Sequence, residues 1–129
     1  MALIGLSSCT DSNDPAPPNL LLGKWQGVST RYVDTSPTGA VVHDSTITYA
    51  PRSYVLEYTT TEVLSYSGPN TVFNRFDYTR VGDNITIIRS GVGDTPEKIT
   101  ELTTTKLVLV STRPRRANSQ VRTQTFIRY

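Results

Sequence analysis

A chain of 129 residues, 36% hydrophobic and 19% charged, has room for one folded domain and rules out a multidomain enzyme. Its 13 Lys and Arg against 11 Asp and Glu leave a formal charge of +2, well short of the basic excess of a nucleic-acid binder. One cysteine, Cys9, excludes an intrachain disulfide and a Cys-rich zinc site, and one histidine, His43, excludes a His-pair ligand set, so neither metal nor cofactor is expected.

The chain opens Met1-Ala2-Leu3-Ile4-Gly5-Leu6-Ser7-Ser8-Cys9, an apolar stretch ending in small residues before the sole thiol. Leu6-Ser7-Ser8-Cys9 resembles the lipobox of bacterial lipoproteins, in which small side chains admit the peptidase and the cysteine sulfur takes the lipid. With no Lys or Arg before Lys24, residues 1–8 read as a truncated signal segment. The alternative is an unmodified free thiol. Residues 9–20 follow as a polar linker holding Pro15, Pro17 and Pro18, with too little apolar surface to join a core. Asp11 and Asp14, close behind the cysteine, resemble the surface-export signal of Bacteroidota lipoproteins. The resemblance implies attachment at Cys9 to the bacterial outer membrane, on its periplasmic side or at the cell surface.

Residues 21–129 are rich in Thr, Val, Ile and Tyr, in short runs separated by Gly, Pro, Asn and Asp. That is a strand-and-turn pattern, and no stretch carries a helical period. Strands are expected at 24–33, 40–49, 53–60, 62–67, 71–80, 84–89, 98–102, 106–112 and 120–128. Thr59-Thr60-Thr61 holds no typical turn residue, so the third and fourth are either two strands or one bent one. The remaining connections, among them Ser36-Pro37-Thr38-Gly39, Ser67-Gly68-Pro69-Asn70 and Gly82-Asp83-Asn84, are of hairpin length, whereas a parallel crossover takes a dozen residues or more. Consecutive strands therefore pair antiparallel. An open sheet of this width leaves exposed edges, which closure removes, so the expected fold is all-β: an eight- to nine-stranded up-and-down barrel.

Leu21-Leu22-Gly23-Lys24-Trp25, at the start of the first strand, resembles the Gly-x-Trp opening of the lipocalins. The resemblance implies that Trp25 plugs the closed end of the barrel and that an arginine of the last strand, Arg128 or Arg122, lies across its indole. The succession of lipobox, polar linker, Gly-x-Trp, meander and terminal Phe126-Ile127-Arg128-Tyr129 is similar to that of lipocalin-like lipoproteins of Bacteroidota. Typical lipocalins are longer and carry a helix after the eighth strand.

In such a barrel Tyr54, Tyr58, Phe76 and Tyr78 alternate onto one face and are candidate cavity-lining residues, with plain cross-strand packing as the other reading. Beyond Glu101 every charged residue is basic, and the Arg113-Pro114-Arg115-Arg116 turn reads either as a solvated tip or as a patch for anionic headgroups. Catalytic patterns are missing. His43 and Asp44 are adjacent on a strand and point to opposite faces; Ser45 and Ser53 lack the flanks of a nucleophile elbow; Gly91-Val92-Gly93-Asp94 opens no helix. Glu57 and Asp77 are expected to form surface ion pairs with Arg75 or Arg80 rather than a carboxylate dyad.

These readings converge on a non-enzymatic, membrane-tethered barrel that binds a small hydrophobic or amphipathic ligand and no nucleic acid. The competing function is a protein-interaction module of the envelope, such as a protease inhibitor or assembly lipoprotein, presenting a strand edge or the arginine-rich turn.

Overall fold

The computed structural model describes residues 19–91 and 93–129. The lipobox, Cys9 and the linker up to residue 18 lie outside the described residues. Nine strands follow in order: β1 Gly23–Thr35, β2 Val41–Thr48, β3 Val55–Tyr58, β4 Glu62–Tyr66, β5 Val72–Val81, β6 Asn84–Ile88, β7 Thr95–Leu102, β8 Lys106–Arg115 and β9 Asn118–Arg128.

From β3 to β9 each strand pairs antiparallel with the next, and β9 returns to pair with β1, which pairs in turn with β3. Eight strands thus close into a barrel, and β2 is the ninth, outside the ring. The long β1 explains the arrangement. One of its sides holds β9 along almost the whole length, from Arg128 opposite Trp25 to Ser119 opposite Thr35. Its other side is shared, Gly23–Gln26 with β3 and Ser29–Thr35 with β2.

Above the closed ring, β2, β1, β9 and β8 therefore continue upward as a four-stranded flap. β8 pairs with β7 only through Leu107–Val110, so from Ser111 onward its outer side has no strand partner among the described residues. The flap consequently has two free edges, β2 and upper β8.

Trp25, Leu21, Phe126, Leu107, Leu109, Ile85 and Ile99 are almost completely buried and fill the lower half of the barrel. Their alternation with half-buried neighbours, as in Leu107-Val108-Leu109-Val110, gives β8 one inward and one outward face.

One connection that the sequence leaves open is decided, and one strand begins earlier than expected. Thr59–Thr61 is a genuine turn separating β3 from β4: the Thr59 hydroxyl accepts the backbone N–H groups of Thr61 and Glu62, at 3.3 and 3.0 Å. A threonine hydroxyl thus supplies the turn that no Gly or Pro encodes. Thr103 does the same for Thr105 and Lys106 between β7 and β8. β7 also begins at Thr95 rather than at residue 98, despite Pro96. Pairing with β6 continues through Thr95–Lys98, while the outer side of Thr95–Glu97 has no counterpart on β8, a position that tolerates proline.

Candidate functional site

The closed end is built by four residues. Trp25 is fully buried and its indole N–H donates to the Leu21 carbonyl at 2.9 Å. The Arg128 guanidinium carbon lies 3.7 Å from the centre of the Trp25 ring. Its nitrogens donate to the carbonyls of Leu22, Leu20 and Thr104 at 2.9, 2.7 and 3.2 Å, which ties the chain entry, the last strand and the β7–β8 turn together. Partial burial lowers the Arg128 pKa, yet a guanidinium stays charged under these conditions.

Gly23 makes the stack geometrically available. Its φ of 114° is a conformation L side chains rarely adopt, and a Cβ there would stand 2.9 Å from an Arg128 nitrogen. Arg122, the alternative partner for the indole, is instead drawn to Glu97, on the cavity wall.

Above the plug the barrel is hollow, with a cavity of about 440 Å3. The volume falls in the range of small-molecule sites, roughly 300–1,000 Å3. One wall is apolar, made by Leu56, Val63, Phe76 and Ile87. The opposite wall is polar. Arg122 donates from Nη2 to Glu97 at 3.0 Å and from Nε to the Ser111 hydroxyl at 3.2 Å, and the Gln124 amide donates to the Tyr54 hydroxyl at 3.1 Å. Only 8% of the Glu97 side chain is exposed, and burial raises its pKa, with Arg122 opposing the shift. Burial likewise raises the Tyr54 phenol and pushes that of Tyr58 well up.

Tyr58 lines the cavity at 2% exposure, and its hydroxyl makes no hydrogen bond with any described residue. A buried hydroxyl left in this state costs on the order of 1–3 kcal/mol. Glycine at position 27 makes room for this wall: a Cβ there would lie 2.5 Å from the Tyr54 ring.

Of the four aromatic residues picked out in the sequence, Tyr54, Tyr58 and Phe76 line the cavity. Tyr78 does not. It packs edge-on behind Tyr58, with ring centres 5.3 Å apart, and its hydroxyl donates to the Thr59 carbonyl. Glu97, Arg122 as its partner, and Gln124 are the site residues that sequence reasoning missed. The signal was available: Thr95, Glu97 and Ile99 alternate onto one face once β7 is extended through Pro96.

Glu57 and Asp77 do not pair with Arg75 or Arg80. Glu57 accepts the Tyr66 hydroxyl, Arg75 bonds Glu62, and Arg80 bonds Asn19 and the Gly82 carbonyl. The arginine-rich turn is exposed, but two of its arginines reach back to the sheet. Arg113 donates to Gln120, fully buried, which donates to Asp34 at 2.9 Å, and Arg115 lies 3.9 Å from the same carboxylate. Arg116, at φ 58° on the tip, points to solvent. No group of three or more His, Cys, Asp or Glu side chains suited to a metal occurs among the described residues.

An all-antiparallel barrel closed at one end by a Trp–Arg stack and hollow in its middle has the lipocalin architecture. The chain belongs to the family described as lipocalin-like domain, whose model matches residues 21–109. A search of curated proteins finds no significant match.

Proposed function

We propose that the barrel binds a small amphipathic molecule in its cavity, apolar part against Leu56, Val63, Phe76 and Ile87, polar group toward Tyr58 and the Glu97–Arg122 pair. The observation that carries this reading is the Tyr58 hydroxyl, itself buried in the cavity wall and without a partner among the described residues. A polar atom of a ligand would satisfy it, whereas a barrel built only as a scaffold gains nothing from such a group. A fluorescent fatty-acid analogue tests the proposal. Saturable binding is expected, weakened at least about tenfold by Ser65→Phe, which puts a ring into the cavity. Absence of binding, or binding indifferent to Ser65→Phe in a folded variant, would exclude the cavity as the site.

In this reading the barrel hangs from the bacterial outer membrane by lipid on Cys9. The support is the Leu6-Ser7-Ser8-Cys9 motif and the polar segment behind it. Palmitate labelling in cells, lost in Cys9→Ala, is the expected outcome.

A protein-interaction role is favoured by one specific feature, the outer edge of β2, which has no strand partner among the described residues.

A further inference from the structure

The two free edges of the flap are built differently. Along β9 the Arg128 N–H bonds the Thr105 carbonyl, so by alternation Thr112 and Pro114 of β8 turn their backbone groups to the open side. Pro114 has no N–H to offer there, and Arg113, Arg115 and Arg116 surround it. Proline and crowded charge are the usual devices that stop a sheet edge from taking another strand.

The β2 edge has neither device. Tyr49 donates its N–H to the Val28 carbonyl, so Ile47 and Ser45 also face β1, while Asp44, Thr46 and Thr48 direct their N–H and C=O groups outward. None of these outward groups has a backbone partner among the described residues. The edge holds no proline and no lysine, and Val41, Val42 and Ile47 are 61%, 54% and 49% exposed. Its one acid, Asp44, is neutralised within the same sheet by Arg31, which bonds both carboxylate oxygens at 3.0 and 2.7 Å. Two such edges meet without charge repulsion.

We propose that two copies of this chain associate by antiparallel pairing of their β2 strands. A register centred on Thr46 puts Asp44 opposite Thr48 of the other copy, so no carboxylate faces a carboxylate. It brings the two Ile47 side chains to diagonal neighbours and carries Val41 and Val42 toward Ala50 and Pro51 of the other copy. The contact is isologous and closes at two copies. Head-to-tail growth would require β2 to meet the β8 edge, which Pro114 and its arginines block.

Sedimentation velocity over a wide concentration range reads the association, and hydrogen exchange reads its location. The mass is expected to double with concentration. Protection should then appear at the amides of Asp44, Thr46 and Thr48, while those of Ser45, Ile47 and Tyr49, already bonded to β1, stay unchanged. Thr46→Pro removes the central outward N–H and leaves the β1 side intact, and Ile47→Lys places a charge on the edge without any backbone demand. Each is expected to lower the association constant at least about tenfold while the thermal midpoint of the dilute monomer holds. A wild-type chain that remains monomeric at every concentration overturns the proposal, even where the edge captures a strand of another protein. A dimer indifferent to both variants overturns it as well.

Discussion

Arg128 lies over Trp25 at 3.7 Å while its nitrogens hold three backbone carbonyls, so one side chain seals the barrel base by stacking and by hydrogen bonding at once. The two contributions separate by substitution. Arg128→Lys keeps the charge above the ring but loses the planar fork, and is expected to cost about 1–2 kcal/mol; Arg128→Ala loses both, about 2–4 kcal/mol. Trp25→Ala empties the centre of the plug and is expected to cost at least about 3–5 kcal/mol, the largest loss of the three. Urea unfolding followed by circular dichroism measures all three, since Trp25 is the sole tryptophan and its fluorescence disappears with it.

Gly23 and Gly39 separate conformational strain from collision. Both have positive φ, 114° and 90°, but a Cβ at Gly39 meets nothing within 4 Å, while one at Gly23 stands 2.9 Å from Arg128. Gly39→Ala should therefore cost only the backbone strain, about 1 kcal/mol, whereas Gly23→Ala adds displacement of the guanidinium and should cost roughly 2–4 kcal/mol. The diagnostic readout is Trp25 fluorescence in the folded state, shifted by Gly23→Ala and not by Gly39→Ala.

The contrast between these glycines shows which parts of the fold were legible. Turns made by Gly, Pro and Asn, and the Gly-x-Trp opening, announce themselves because their residue types do one conformational job. The Thr59 and Thr103 turns rest on a hydroxyl accepting two amides, an arrangement that a threonine-rich strand resembles in composition. The polar wall was hidden for a related reason. Pro96 suggests that no strand precedes Lys98, which strips Glu97 of its inward position, and Arg122 then looks equivalent to Arg128 as a cation on the last strand. Only the register, Arg128 opposite Trp25 and Arg122 opposite Tyr32, tells the two arginines apart. That β2 leaves the ring was equally invisible, since it follows from β1 being long enough to share one side between two strands.

Tyr58→Phe removes the hydroxyl that has no partner among the described residues and keeps the edge-on contact with Tyr78. The empty barrel is expected to gain stability, up to about 1 kcal/mol, because a desolvated polar group disappears. Affinity for an amphipathic ligand should fall about five- to tenfold over the same change. Opposite signs in the two measurements, thermal midpoint up and binding down, mark a group kept for a ligand. A loss of stability would instead mean that the hydroxyl already has a partner, such as bound water.

Glu97 sets a pH dependence whose sign follows from its burial. Its pKa in the folded barrel is raised, mainly by desolvation, with Arg122 pulling the other way, while in the unfolded chain it sits near the ordinary glutamate value of about 4.3. The folded state therefore holds this proton more tightly than the unfolded state. Its contribution to stability is fully present below about pH 4.3 and is lost as pH rises through the raised folded value, beyond which it stays constant. Asp44, lowered by Arg31, acts in the opposite sense and loses its contribution on acidification, so the wild-type curve alone mixes the two. Glu97→Gln isolates the first effect, because a glutamine oxygen still accepts from Arg122 but does not titrate. The difference in unfolding free energy between wild type and Glu97→Gln should move in favour of the variant as pH rises above about 4.3, and flatten once pH passes the raised folded value. A constant difference across that range would place Glu97 in contact with water rather than in the desolvated wall.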